Sequence, residues 1–122
     1  MTKERLSLGK WGEEQAVRFL RKNRFKILER NFTCPLGELD IITRRKDRLV
    51  FVEVKTKTNN DPPAPRYSVN RRKQRRIIRV ARYYLKSRGL SNVRCRFDVV
   101  EVIAGEGKCL EKITHLPGAF RV

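Results

Sequence analysis

The chain is poor in the residue types that build zinc sites and disulfide frameworks. Its three cysteines, Cys34, Cys95 and Cys109, are widely spaced and form no C-x-x-C pair, and His115 is its one histidine. Structural zinc sites take four cysteine or histidine ligands, and a disulfide framework needs paired cysteines. We therefore expect neither kind of site. We expect Cys95 and Cys109 to fill strand positions as small buried side chains.

Long apolar runs are also missing. No stretch without a charge is long enough to cross a bilayer, and the first residues lack the apolar segment of a secretory signal. These absences predict a cytoplasmic protein. The 122 residues give room for one hydrophobic core, so we expect a single domain over residues 1–122.

Acidic residues are outnumbered, with 13 Asp and Glu against 30 Lys and Arg and a formal net charge of +17. Such a charge attracts polyanions and has no use in an enzyme that acts on small neutral metabolites. Nucleic acid is the partner that it indicates, because a protein of anionic membranes would need an amphipathic anchor. The charge alone fits a ribosomal or nucleoid protein equally well. It therefore predicts a class of partner and leaves the activity open.

Hydrophobic periodicity predicts the order helix, three strands, helix, two strands. The segment 49–54 is apolar on both of its faces, which is typical of a central strand that is covered on both sides. We therefore expect an α/β sandwich on a mixed sheet, in which Gly89 ends the second helix. The predicted elements are helices over residues 8–24 and 68–88, strands over 25–32, 38–43, 48–55, 93–103 and 110–116, and a loop over 56–66.

Charged residues stand at the end of the two most apolar strands. Glu53 and Lys55 are two positions apart and so share a face of their strand. If the hairpin turns symmetrically about residues 46 and 47, Asp40 lies directly opposite Glu53. Adjacent carboxylates repel each other, and a hard divalent cation relieves that repulsion. The carboxylates, with the carbonyl of Val54, therefore predict a site for Mg²⁺ or Mn²⁺, where the ion would activate water and stabilise charge on a phosphate.

The alternative for these charges is a cross-strand salt-bridge network on a solvated face of the sheet. It is disfavoured because Glu53 and Lys55 continue the apolar face of a central strand, where grouped charges are costly.

Glu13 adds a third acid to this set. Helical spacing puts it on the same stripe as Ala16, Val17 and Leu20, which faces the core. A carboxylate on that side can reach a metal ion or its water. The alternative is a buried glutamate that is satisfied by an arginine or by backbone amides.

The second predicted helix is rich in basic residues. Its outward-facing arginines offer a surface for phosphate contacts, although a solvated helix face is the simpler alternative. Asp98 is ambiguous, and we interpret it as a structural partner of a nearby basic group. The nucleic-acid-binding set is predicted to be Arg72, Lys73, Arg75, Arg76, Arg79 and Arg82.

Distinctive motifs are spread along the chain: GEE at 12–14, ILERN at 27–31, GELDII at 37–42, LVFVEVK at 49–55 and RFDVV at 96–100. In these motifs the sequence resembles the YraN family of small predicted bacterial nucleases. That family is similar to the PD-(D/E)XK superfamily and, in its core, to archaeal Holliday-junction resolvases. The resemblance implies a restriction-endonuclease-like three-layer sandwich with a central mixed five-stranded sheet flanked by helices.

The same resemblance implies roles for individual residues. Asp40 corresponds to the motif aspartate, Glu53 and Lys55 to the E-x-K pair, and Glu13 to the acidic residue of the first helix. Leu39 departs from the pattern, because the superfamily usually has proline there, and this leaves the ligands unaffected.

These observations predict a metal-dependent endonuclease that hydrolyses phosphodiester bonds of DNA by in-line attack of water, with branched or flap structures among its substrates. Asp40 and Glu53 would hold the ion, Lys55 would orient water and stabilise the pentavalent phosphorus, and Glu13 would take a second ion or its water. We expect no membrane and no small-molecule cofactor, and a homodimer stays open. The alternative is a non-catalytic nucleic-acid-binding protein, DNA- or ribosome-associated, that retains the fold.

Overall fold

The computed structural model describes residues 3–59 and 69–122 of the chain. Within these residues the chain forms two long helices and five strands in the predicted order, with a short 3-10 helix before the last strand. No helix among them is both long and apolar enough to cross a membrane. The elements are α1 (Lys3–Lys22), β1 (Lys26–Cys34), β2 (Gly37–Arg45), β3 (Arg48–Thr58), α2 (Arg71–Ser87), β4 (Arg94–Ala104), the 3-10 helix (Glu106–Lys108) and β5 (Leu110–Phe120).

The five strands form one mixed sheet in the order β1-β2-β3-β4-β5. β3 pairs antiparallel with β2 and parallel with β4, and the two edge strands run antiparallel to their neighbours. A parallel pair needs a crossover connection, and α2 lies in the segment that makes it. The predicted α/β class and mixed sheet are confirmed, and β3 is central, as its apolar run predicts.

Each face of the sheet has its own core. On one face Leu20 of α1 belongs to a buried cluster with Val52, and on the other Ile77 of α2 belongs to a cluster with Phe51. Neighbouring residues of β3 serve different cores because side chains alternate along a strand. Burying one such large apolar side chain contributes about 1.5–3 kcal/mol. The two cores together hold the helices and the sheet in three layers.

Both ends of α2 are fixed by local sequence. The side chain of Asn70 accepts the backbone N–H of Lys73 at 2.9 Å and so caps the first turn. At the other end Gly89 adopts a φ of 64°, and the N–H of Leu90 donates to the carbonyl of Leu85. This is the pattern of a helix that ends at glycine. The prediction for Gly89 is confirmed, although the helix begins at residue 71 and not at 68.

A buried charged cluster connects β4 to β5. Asp98 is 0% exposed and accepts two hydrogen bonds from the guanidinium of Arg96, at 2.8 and 2.9 Å. Nε2 of His115 lies 2.7 Å from Asp98, and the N–H of Gly118 donates to it at 3.0 Å. Burial by itself raises the pKa of Asp98, but these hydrogen bonds outweigh it and lower the pKa below 3.8. The predicted structural role of Asp98 is confirmed.

Some details differ from the sequence expectations. The prediction that Cys95 and Cys109 are buried is wrong, because both are exposed. Cys95 lies at the start of β4, and Cys109 follows the 3-10 helix. β3 continues past residue 56, since its last residues pair with β4 as far as Thr58 and Ala104. β5 continues to Phe120, and α1 begins at residue 3. Residues 60–66 of the predicted loop lie outside the described residues.

Candidate active site

Asp40 and Glu53 lie on neighbouring central strands, at the same end of the sheet. The β2–β3 ladder pairs Ile41 with Val52 and ends at that pair. One position further along each strand, this register places Asp40 opposite Glu53. The register that the symmetric hairpin predicts is therefore confirmed. The end of the ladder leaves the polar groups beyond it available for other contacts.

The carboxylate of Asp40 takes a backbone hydrogen bond just past the end of the ladder. Its Oδ2 accepts the N–H of Val54 at 2.8 Å. The N–H and C=O groups of one strand residue project toward the same neighbouring strand. The carbonyl of Val54 is therefore directed to the side on which Asp40 lies, and the two oxygens can serve one cation.

The surroundings of Asp40 raise its pKa from the usual 3.8 to about 7. Burial is the largest cause, repulsion by Glu53 is the next, and Glu13 adds a weaker repulsion. The hydrogen bond from Val54 and the charge of Lys73 lower the pKa and offset the rise only in part. Near pH 7 the carboxyl group is therefore divided between its neutral and ionised forms. A cation bound beside Asp40 would favour its ionised form.

The lysines around the site differ in how they are engaged. Nζ of Lys73 on α2 lies 2.9 Å from Oε1 of Glu53, which is only 8% exposed. Nζ of Lys57 lies 3.1 Å from Oε2 of Glu101 on β4. Lys55 stands between Glu53 and Lys57 along β3 and is half-buried, and no carboxylate of the described residues forms an ion pair with it. Lys55 is thus the lysine that remains available to an incoming anion.

Glu13 approaches the same site from α1. Its Oε1 accepts a hydrogen bond from Nδ2 of Asn31 at 3.0 Å, and it pairs with Nε of Arg30 at 3.4 Å. The carboxylate is also close enough to Asp40 to raise the pKa of that group. Glu13 is therefore paired with an arginine, as the alternative of a buried and satisfied glutamate predicts. It also lies near Asp40, as the resemblance implies.

Gly12 lets α1 come close to β3 at this point. A Cβ at position 12 would overlap the side chain of Thr56. The absence of a side chain on Gly12 therefore allows the close helix–strand contact that carries Glu13 toward the site.

Asn31 is a site residue that the sequence analysis did not single out. The pairs on either side of it in the β1–β2 register place it opposite Asp40. Its φ of 53° is left-handed, a conformation that asparagine tolerates better than most residues. The polar pair Arg30-Asn31 inside a strand was the sequence feature that could have indicated Asn31 as a site residue. Sequence spacing alone could not identify Glu13 on α1 as the partner of Asn31.

The arginines assigned to nucleic acid lie on the outer face of α2. They are exposed, and none of the ion pairs among the described residues includes them. Lys73 differs from the rest of the predicted set, because it is half-buried and paired with Glu53. The exposed members are Arg72, Arg75, Arg76, Arg79 and Arg82.

The donors at this end of the sheet fit a hard divalent cation with few protein ligands. Within residues 3–59 and 69–122, no three acidic, histidine or cysteine side chains form a group that could hold a metal ion. The donor set is instead two carboxylates, Asp40 and Glu53, and the carbonyl of Val54. Mg²⁺ and Mn²⁺ prefer such oxygen ligands, and Mg²⁺ usually keeps several waters. The raised pKa of Asp40 agrees with this fit, because burial and the neighbouring carboxylates both disfavour its ionised form, and a bound cation would favour it.

Sequence relatives show the family of this chain. The sequence profile of Uncharacterised protein family UPF0102 matches residues 12–102. The chain belongs to this family. A UPF0102 protein of Syntrophotalea carbinolica is 46% identical over 122 residues, which are 100% of this chain and 98% of the relative. A UPF0102 protein of Moorella thermoacetica is 42% identical over 98% of this chain and 100% of its own length.

A third UPF0102 protein, from Clostridium beijerinckii, is 43% identical over 100% of this chain and 99% of its own. The resemblance to the YraN family, which is UPF0102 under another name, is therefore confirmed. The UPF0102 match contains the whole candidate site, from Glu13 on α1 to Lys73 on α2. Membership in UPF0102 brings no reaction with it.

Proposed function

We propose that this UPF0102 protein is a metal-dependent endonuclease that hydrolyses phosphodiester bonds of DNA. The observation that carries the proposal is the register of β2 and β3, which places Asp40 opposite Glu53 on neighbouring strands, with Lys55 on the same face of its strand as Glu53. Burial and the neighbouring carboxylates also raise the pKa of Asp40 to about 7. A carboxyl group held in such a place destabilises the fold whenever it is ionised. Perturbed carboxyl groups of this kind cluster at functional sites.

The ligands of the proposed ion are Asp40, Glu53 and the carbonyl of Val54, and the ion is Mg²⁺ or Mn²⁺. When bound, it supplies Lewis-acid stabilisation of the charge that develops on the phosphate. The chain's own contribution is to hold these three oxygen donors in place. β2 and β3 do so through their register, and the Val54 N–H fixes the carboxylate of Asp40.

Lys55 and Glu13 complete the proposed site from two directions. The ammonium of Lys55, which has no ion-pair partner among the described residues, contacts a phosphate oxygen and stabilises the extra negative charge of the transition state. Glu13, held by Asn31 and Arg30, orients water through its second oxygen. Lys55 acts as a cation in this account and takes no proton.

The restriction-endonuclease-like core is part of the same proposal. Its support is the placement of the motif aspartate on β2, the E-x-K residues on β3 and an acid on the first helix, within a three-layer α/β sandwich. The exposed arginines of α2 are proposed to contact the phosphate backbone and to position the substrate without reading its sequence.

A cleavage assay over several DNA shapes tests the proposal. The purified chain is incubated with labelled duplex, flap, junction and single-stranded DNA, with Mg²⁺, with Mn²⁺ or with a chelator. We expect cleavage of at least one substrate, only with metal, and its loss in Asp40→Asn. Asp47→Asn is the matched control, since Asp47 is an exposed acid at the other end of the same hairpin. Cleavage in chelator, or equal cleavage by Asp40→Asn, would contradict the proposal.

A second candidate is a non-catalytic nucleic-acid-binding protein that retains the fold. It is favoured by the ion pairs that already neutralise two of the acids, Lys73 with Glu53 and Arg30 with Glu13. Such a protein would bind nucleic acid equally well with metal and with chelator, and it would cleave none of the substrates above.

A further inference from the structure

Basic side chains gather at the end of the sheet opposite Asp40 and Glu53. They come from the end of α1, the start of β1, the turn between β2 and β3, and the start of β4. We call this surface the basic end. Its members are Arg21, Lys22, Arg24, Lys26, Arg44, Arg45, Lys46, Arg48 and Arg94, with Asp47 as the acid among them.

The register of the sheet brings like charges together at the basic end. Lys26 of β1 pairs with Arg44 of β2, and Arg48 of β3 pairs with Arg94 of β4. Like charges on directly opposite positions destabilise a sheet. Four strands with spacings of about 4.8 Å spread this charge over roughly 14 Å. Because side chains alternate along a strand, the Lys26–Arg44 pair lies on one face of the sheet. The Arg48–Arg94 pair lies on the other face, together with Arg45, so each face carries a repulsive pair at this end of the sheet.

Two members of the basic end occupy positions that favour other residue types. Arg24, between α1 and β1, has a φ of 67°, and Lys46, in the β2–β3 turn, has a φ of 57°. Glycine and asparagine adopt this left-handed conformation most readily, and other residues are destabilised there by roughly 1–2 kcal/mol. Positive charge is thus kept at both turns against the local conformational preference.

Arg45 holds the parts of the basic end together. Its Nε donates to the carbonyl of Asn23 at 3.3 Å, and its guanidinium lies 5.4 Å from the ring centroid of Phe25. These contacts join the β2–β3 turn to the end of α1. A surface that is ordered before binding loses less entropy when a ligand arrives.

Local effects explain only part of this charge. Arg21 and Lys22 stand in the last turn of α1, where they complement the helix dipole. Asp47 offers one ion pair, with Arg94 at 3.7 Å, but both side chains are more than 70% exposed (71% and 73%), and such a pair contributes little. Apart from this weak pair of Arg94 with Asp47, no acid of the described residues forms an ion pair with Arg24, Lys46 or the two repulsive pairs.

We propose that the basic end binds the phosphate backbone of nucleic acid as a surface separate from the exposed face of α2. A duplex carries one negative charge per about 1.7 Å of its axis, so roughly 14 Å of it carries on the order of eight charges, and those on the near side face this surface. The basic end lies five residues along β2 and β3 from the carboxylates, or about 17 Å at 3.3–3.4 Å per residue. This inference holds whether or not the chain cleaves its ligand.

The test uses a variant that removes charge without disturbing the fold. Arg24→Asn with Lys46→Asn places asparagine at both left-handed positions, so thermal stability should stay equal or rise. Binding to a 20-base-pair duplex is titrated in chelator at several salt concentrations. We expect weaker binding and a slope of log affinity against log salt that is flatter by about 1.5 to 2, for two lost contacts at roughly 0.9 each.

The control double variant is Lys108→Asn with Lys112→Gln, which removes the same charge near the other end of β4, where Lys108 also has a left-handed φ of 57°. Equal effects of the two double variants would mean that only net charge matters and would overturn the proposal. An unchanged slope for the Arg24–Lys46 variant would do the same. Loss of binding to vesicles of anionic lipid, with duplex binding unchanged, would assign the surface to a membrane and also overturn it.

Discussion

The ammonium of Lys73 and the carboxylate of Glu53 form an ion pair, with Nζ and Oε1 2.9 Å apart. Lys73 stands in the first turn of α2, and Glu53 is nearly buried on β3. The lysine therefore supplies positive charge at the place where the proposed metal ion would bind. The ammonium and the ion would share one carboxylate, so the charge of Lys73 disfavours binding of the ion at Glu53.

Lys73→Met should tighten the binding of Mn²⁺ in the absence of DNA. The variant removes the competing charge and keeps the length of the side chain, and we expect a gain of roughly tenfold, or about 1.4 kcal/mol. Titration calorimetry with Mn²⁺ measures it. Lys57→Met is the control, because Lys57 pairs with Glu101 and not with a proposed ligand. Weaker Mn²⁺ binding by Lys73→Met would show that this lysine supports the site and does not compete in it.

Asp40→Asn should make the protein more stable, and the gain should depend on pH. The pKa of Asp40 is 3.8 when unfolded and about 7 when folded, so folded protein binds the extra proton between these values. Stability from this group is therefore complete below pH 3.8 and is lost as the pH rises toward 7. An asparagine oxygen can still accept the N–H of Val54. Above pH 7 we expect a gain on the order of 2 kcal/mol.

Thermal unfolding of both proteins at several pH values between 4 and 8, in chelator, measures this difference. The gap between Asp40→Asn and the parent should widen as the pH rises. A constant gap, or a variant less stable than the parent at pH 8, would mean that Asp40 is not held at a raised pKa.

Asp98→Asn should have the opposite effect on stability. The pKa of Asp98 is lowered, so its contribution is present above pH 3.8 and is lost as the pH falls through the lower folded value. The variant leaves Arg96 without its buried counter-charge, and we expect a loss of roughly 3 kcal/mol near pH 7. Denaturant unfolding measures it. A loss that stayed constant far below pH 3.8 would contradict the ionic origin.

Asn31→Gly should separate the positioning of Glu13 from the stability of the fold. Glycine accepts the left-handed φ of 53° but removes the hydrogen bond to Glu13. We expect metal-dependent cleavage to fall about 10- to 100-fold, the scale of losing a residue that orients a site, with thermal stability nearly unchanged. Asn31→Asp, which also tolerates this φ but places a second carboxylate beside Glu13, should be slower still. Full activity in Asn31→Gly would exclude the positioning role.

Strand periodicity predicted most of the fold, for physical reasons that particular residues illustrate. The alternation around Phe51 and Val52 identifies a strand buried on both faces, and the symmetric turn fixes the register that brings Asp40 to Glu53. Gly89 ends α2 as its conformational freedom predicts. The exposure of Cys95 and Cys109 was not predicted, because the general tendency of cysteine to be buried does not show which positions the helices cover.

The polar contacts of the site were less accessible to sequence reasoning. Two strands in one hairpin have a register that the turn determines, whereas contacts between a helix and a strand depend on how the helix is rotated and tilted. The bond of Asn31 to Glu13 and the pairing of Lys73 with Glu53 belong to this second kind. Helical spacing places Lys73 on the inner stripe of α2 with Ile77, although the predicted nucleic-acid-binding set includes it. Only the structure shows that its partner there is Glu53.

The most direct measurement of the central claim is single-turnover cleavage by the parent, Asp40→Asn and Lys55→Met over a range of Mn²⁺ concentrations, on the substrate that the parent cleaves best. The parent rate should rise with Mn²⁺ and saturate, and Asp40→Asn should cleave at no concentration. Lys55→Met should bind Mn²⁺ as well as the parent or better, with a saturating rate lower by at least ~100-fold. A parent that cleaves no substrate at saturating Mn²⁺, or a Lys55→Met variant with the parent's saturating rate, would contradict the account.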